Sequence, residues 1–71
     1  MWSKGEYMGY EYWVKHYDEP SEDYGYMKGR MSKIQIRKGG RITFNYDRGL
    51  DIEAQDKGTV KVLDYLATIY G

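Results

Sequence analysis

Two runs of alternating apolar and polar residues carry the clearest pattern in the chain. In Ser32-Lys33-Ile34-Gln35-Ile36-Arg37, and again in Arg41-Ile42-Thr43-Phe44-Asn45-Tyr46, the apolar residues fall on alternate positions. A period of two is that of a strand with one buried face. Lys38-Gly39-Gly40 lies between the runs, and glycine takes the positive φ angles of a tight hairpin turn without penalty. The pattern predicts a hairpin that buries Ile34, Ile36, Ile42, Phe44 and Tyr46. Its outer face then presents Lys33, Gln35, Arg37, Arg41, Thr43, Asn45 and Asp47.

Upstream, Tyr10 to Tyr17 is rich in aromatic and β-branched residues and predicts another strand. Tyr12, Val14 and His16 share one side of it; Trp13, Lys15 and Tyr17 share the other. Trp2 to Met8 forms a shorter strand interrupted by Gly5, with Gly9 at the turn. Asp18 to Gly29 is the one long irregular stretch, broken by Pro20 and by the turn-forming residues Asp18, Ser21, Gly25 and Gly29.

At the C-terminus the period changes to that of a helix. Val60, Leu63, Leu66, Ala67 and Tyr70 fall on one stripe, which Val62 and Ile69 widen and Tyr65 borders. Asp56 is the expected N-cap, because its carboxylate can accept a backbone N–H of the first turn. A helix of about 14 residues does not hold its shape alone in water. Its stripe must therefore pack on the Ile34, Ile36, Ile42 and Phe44 face. The expected fold is α+β: one domain over residues 1–71, an antiparallel sheet of three or four strands with a C-terminal helix across one face.

Composition narrows the chemistry. The 71 residues include nine Tyr, two Trp and one Phe, but no Cys and a single His. Disulfides and thiolate zinc sites are excluded, and so is any imidazole-rich metal centre. No apolar run approaches the roughly 20 residues that span a bilayer. The expectation is a soluble protein of the cytoplasm. A chain this short usually needs a staple, and a homodimer is one way to supply it.

Net charge is zero, but the charges are segregated. Residues 1–27 hold two lysines against six acids, net −4. Residues 28–48 hold seven basic residues against Asp47, net +6. Residues 49–71 hold two lysines against four acids, net −2. Such segregation either creates one basic face or cancels across neighbouring strands.

Catalysis finds little to work with. His16 is the only imidazole, and nothing marks a nucleophile among Ser3, Ser21 and Ser32. Asp47, Asp51 and Glu53 gather three carboxylates, but Gly49 takes an alternate position and the spacing of a calcium loop is missing. The segment Asp47-Arg48-Gly49 is instead expected to turn the chain out of the last strand, with Arg48 tied to a nearby carboxylate. No cofactor is implied.

Binding fits better. Tyr, Trp and Arg dominate interface hot spots, and a domain of this size cannot bury twelve aromatic rings. The candidate protein-binding residues are Trp13, Tyr17, Tyr24 and Tyr26 as anchors, with Arg37, Lys38 and Arg41 to steer and set register. The same aromatics beside Lys33, Arg37, Lys38 and Arg41 resemble a single-stranded nucleic-acid surface, although a near-neutral chain is a poor polyanion binder. A small nucleotide signal captured between subunits is a third reading.

One resemblance adds context. Val14-Lys15-His16-Tyr17-Asp18-Glu19-Pro20-Ser21, Tyr24-Gly25, Gly29-Arg30-Met31-Ser32-Lys33-Ile34, Ile36-Arg37-Lys38-Gly39-Gly40 and Asn45-Tyr46-Asp47-Arg48-Gly49 follow one another in order. This order resembles a family of short uncharacterised proteins of Gram-positive bacteria and their phages. It covers the chain to about Ile52 and departs at Leu50, where the pattern carries Trp. The resemblance implies no activity and no site residue. It implies a small protein of a mobile element, a class that often inhibits host or defence proteins in the manner of anti-CRISPR factors. The expectation is a non-catalytic binding protein that occludes a surface on such a host or defence protein.

Overall fold

The computed structural model describes residues 1–71. Its strands are β1 (Trp2–Tyr7), β2 (Tyr10–His16), β3 (Met31–Lys38), β4 (Arg41–Asp47) and β5 (Leu50–Ile52), followed by one helix, α1 (Lys57–Tyr70). The strands form a single antiparallel sheet in the order β1-β2-β3-β4-β5, so each pairs only with its sequence neighbours. The expected α+β fold is the observed one, with two strands at its edges: β1, and the three-residue β5 that follows the Asp47-Arg48-Gly49 turn.

Two hairpins share one device. Met8 and Gly9 join β1 to β2, Gly39 and Gly40 join β3 to β4, and all four have positive φ. That is the mirror-image turn whose twist matches the strands it connects.

The helix packs on one face of the sheet. Tyr10, Tyr12 and Val14 of β2, Met31, Ile34 and Ile36 of β3, and Phe44 of β4 meet Val62, Leu63 and Leu66 of α1 in one buried cluster. Asp56 caps the helix as expected: its Oδ1 accepts from the Thr59 N–H at 2.7 Å and from the Thr59 hydroxyl at 2.8 Å. These bonds hold the Asp56 carboxyl below its usual range. The opposite end is clamped by Arg30, whose guanidinium donates to the carbonyls of Gly71 and Ile69 at 3.1 and 3.4 Å. A cation suits the negative end of the helix dipole.

The helix is rotated from its sequence-based placement. Thr59, Val62, Leu63 and Leu66 are buried, while Val60, Ala67 and Ile69 face solvent. Tyr65 and Tyr70 flank the buried stripe: Tyr65 stacks on Tyr7 at 3.8 Å, and Tyr70 stacks on His16 at 4.5 Å. Rings from β1 and β2 thus pull the stripe around the helix.

The sheet has three register shifts, one each at β2–β3, β3–β4 and β4–β5, and the first two involve buried residues. The register against β2 shifts so that Ser32 is an extra residue in β3, and the register against β3 shifts so that Thr43 is an extra residue in β4. Both residues are buried. Their carbonyls accept from outside the paired strands: Ser32 from the Arg48 N–H at 2.9 Å, and Thr43 from the Gln55 N–H at 3.0 Å. The Thr43 bulge overturns one expectation. Phe44 stays opposite Ile36, but Ile42 falls opposite Arg37 and leaves the core for the open face of the sheet. Arg48 also differs from expectation, for its guanidinium lies over the Tyr24 ring at 5.6 Å rather than against a carboxylate.

The segment between β2 and β3 closes on itself. Ser21 bonds Gly29, Gly25 bonds Ser21, and Lys28 bonds Gly25 through the backbone. A Cβ on Gly25 would collide with the Gly29 carbonyl oxygen, so only glycine fits there. Tyr26 pins the segment to the body, edge-on to Phe44 at 5.9 Å and to Tyr46 at 5.3 Å.

Candidate binding face

Because α1 covers one side of the sheet only, the other side is bare. Alternation along each strand decides what it presents. From β1 come Trp2, Lys4 and Glu6; from β2 come Glu11, Trp13 and Lys15; from β3 come Lys33, Gln35 and Arg37. The register joins Lys4, Trp13, Gln35 and Asn45 into one cross-strand row through the middle of this face.

Trp13 and Arg37 form its best-organised contact. The guanidinium lies 5.5 Å from the ring centroid, within cation–π range. In the amide orientation that satisfies both groups, the Gln35 side-chain oxygen accepts from Nε and Nη2 of Arg37 at 3.1 and 3.2 Å. Arg37 also sits directly across from Glu11. A planar cation held this way loses little freedom when it binds. Trp2 is 58 % exposed, and a shallow cleft of about 160 Å³ runs from Trp2 and Trp13 to Lys33, Gln35, Asn45 and Asp47.

Beside Trp2, the Lys15 ammonium lies 6.0 Å from the Trp2 ring and 5.7 Å from the Tyr17 ring. The neighbouring Lys15 ammonium holds the Tyr17 hydroxyl below its usual range. Charge on the face is mixed. Lys4, Lys15, Lys33 and Arg37 stand among Glu6, Glu11 and Asp47, and Lys33 pairs with Asp47 at 3.6 Å.

The seven residues singled out from the sequence therefore separate into groups. Trp13 and Arg37 meet on the open face, and Tyr17 stands at its corner, 46 % exposed. Tyr24 is also exposed, but it belongs to the 18–29 loop under Arg48. Tyr26 is packed between Phe44 and Tyr46, where burial pushes its hydroxyl up. Lys38 and Arg41 lie on the helix side of the sheet. The Lys38 ammonium is 4.6 Å from the Tyr10 ring, and both cations line a separate cleft with Thr43, Gln55 and Asp56. The Thr43 bulge divides the cationic set, since it reverses the alternation that would have kept Arg41 beside Arg37.

Trp2, Lys15 and Gln35 were not among those seven. The same alternation along β1, β2 and β3 sets all three on this face.

Elsewhere, Ser3 Oγ lies 2.9 Å from His16 Nε2. Burial, then the amino terminus and Arg30, hold this imidazole below its usual range. No carboxylate hydrogen-bonds the ring to orient it, as a nucleophile's base requires, and Tyr70 stacks on its face. The contact ties β1 to β2. Asp47 and Asp51 do not converge, because Asp47 pairs with Lys33 and Asp51 accepts from Asn45 at 2.9 Å. No helix is long and apolar enough to cross a membrane.

No curated protein and no solved structure matches the chain significantly. One family model does match, over residues 1–71, and is described as a domain of unknown function (DUF7678). The match covers the whole of the sheet and helix, and the chain belongs to this family of unknown function.

Proposed function

We propose that the protein is a non-catalytic binding domain that lays the open face of its sheet on a partner protein and occludes the surface it covers. The observation that carries this reading is the Trp13–Arg37–Gln35 group: an indole with a prearranged guanidinium at the centre of an uncovered sheet. Tryptophan and arginine with little rotamer entropy to lose are the side chains that anchor protein interfaces. The mixed signs around them favour a protein surface over a polyanion, because a phosphate backbone selects for one sign. The partner class is the one implied by the resemblance to mobile-element proteins, a host or defence protein.

The test is capture from host-cell lysate at low and high salt, using the wild type, Trp13→Ala, Arg37→Ala and the pair Lys38→Glu/Arg41→Glu. A partner protein should be held through high salt and weakened about 30-fold by Trp13→Ala, a hot-spot loss near 2 kcal/mol. The Lys38/Arg41 pair should capture normally. Retained capture in both Trp13→Ala and Arg37→Ala would refute the assignment. Nucleic acid released steeply by salt, and lost with the Lys38/Arg41 pair, would replace it with the polyanion reading.

A further inference from the structure

The two edges of the sheet differ. β5 is three residues long, and its Asp51 is tied to Asn45. β1 is six residues long and has no strand on its outer side. Met1 and His16 exchange both backbone hydrogen bonds, at 2.9 and 3.0 Å. In an antiparallel ladder such pairs alternate, so Ser3, Gly5 and Tyr7 also bond toward β2. Trp2, Lys4 and Glu6 then aim their N–H and C=O groups out of the sheet. A free edge of this kind is a template for another strand.

We propose that the strand it receives is β1 of a second copy, antiparallel, with the two-fold axis at Gly5. Only a few symmetric registers pair outward-facing residues. An axis at Lys4 sets lysine against lysine, and one at Glu6 sets glutamate against glutamate. An axis at Ser3 leaves Glu6 and Tyr7 unpaired. An axis at Gly5 places Lys4 opposite the second copy's Glu6, and Glu6 opposite its Lys4. Directly opposed unlike charges stabilise a strand pair, and like charges oppose it. Edge charges that ordinarily discourage pairing here select one register.

The ends of the strand match as well. In this register Trp2 reaches the second copy's Met8, and the two are 58 % and 53 % exposed in the single chain. Met8 holds a left-handed conformation, φ 55°, in a turn where Asn or Gly is ordinarily found. A large apolar residue kept at a strained, exposed turn is accounted for by a contact outside its own chain. The segment from Trp2 to Met8 is thus complementary to itself: apolar, cation, glycine, anion, apolar. The product is a ten-stranded sheet with both helices on one side and a doubled open face on the other.

Sedimentation velocity over a concentration series tests this without any partner, so its outcome is separate from that of the binding reading. The wild type should sediment as a dimer. Lys4→Glu and Glu6→Lys each turn two symmetric attractions into repulsions and should weaken the dimer about 30-fold, about 2 kcal/mol. The double variant Lys4→Glu/Glu6→Lys restores both pairs and should recover the dimer. Both side chains lie on the exposed edge, and circular dichroism confirms that each variant is folded. A wild type that stays monomeric at every concentration overturns the proposal. So does a dimer indifferent to both single changes, or a double variant no better than either.

Discussion

Replacing Gly58 with alanine should destabilise this protein, although the same change inside a helix ordinarily helps. Gly58 lies in the first turn of α1, where alanine gains at most about 1 kcal/mol in helix propensity. A Cβ at this position would collide with the Tyr10 hydroxyl and stand 2.8 and 2.9 Å from the ring carbons Cζ and Cε1. The ring has no cheap way to retreat. It is only 5 % exposed, its hydroxyl donates to Asp56 Oδ1 at 2.9 Å, and Lys38 sits over its face. The bond to Asp56 and burial together push the Tyr10 hydroxyl up, as expected of a neutral donor to a carboxylate.

Forcing one methyl into such a contact costs about 1–3 kcal/mol. Overpacking therefore outweighs propensity, and moving the hydroxyl also disturbs the helix cap. The net loss should be about 1–2 kcal/mol, which lowers Tm by roughly 5–15 °C in a domain of this size. The assay is thermal and urea unfolding followed by far-ultraviolet circular dichroism. Tyr10→Phe removes the nearest colliding atom, so the double variant Tyr10→Phe/Gly58→Ala should be less destabilised than the sum of its parts. A Gly58→Ala protein that melts higher than the wild type would refute the reasoning. Strict additivity in the double variant would too.

Two further outcomes test the packing and the pH response. Ile42→Thr should change stability by less than about 1 kcal/mol, because the residue lies outside the core, whereas Ile36→Ala, fully buried beneath α1, should cost about 2–5 kcal/mol. Equal losses in chemical unfolding would show that the Thr43 bulge is absent. His16 is held below its usual range in the folded chain, so the unfolded chain takes up the proton first as pH falls. The stability linked to this neutral imidazole is complete above about pH 6.5, and it should decline from there down through the depressed folded value. Tm measured across this window should fall in the wild type and flatten in His16→Gln; matching slopes would remove His16 as the cause.

Much of this architecture is legible from single segments. The β3–β4 hairpin follows from two alternating runs around Gly39-Gly40, and α1 from a change of period after Asp56, whose carboxylate caps the helix as its position predicts. These are local matters: turn geometry, capping and periodicity each involve residues a few positions apart. The placement of Tyr12, Tyr46, Tyr65 and Tyr70 at or beside the core follows from the same periodicities.

The opposite faces that Ile42 and Arg41 occupy could not be read this way. They depend on one extra residue, Thr43, whose carbonyl is taken by the Gln55 N–H only after the chain has returned past β5. Alternation is a property of one strand, but register is an agreement between two strands and the segments that cross their ends. For that reason the seven basic residues of 28–48, one cluster along the chain, divide in space between the open face, the helix side and the β2–β3 loop. The sequence by itself determined an α+β sheet carrying a surplus of tyrosine and tryptophan. The tertiary structure decided which of those rings remain outside, Trp2, Tyr17 and Tyr24 exposed and Trp13 half-buried beside Arg37, because only pairing and helix docking establish which side of the sheet is covered.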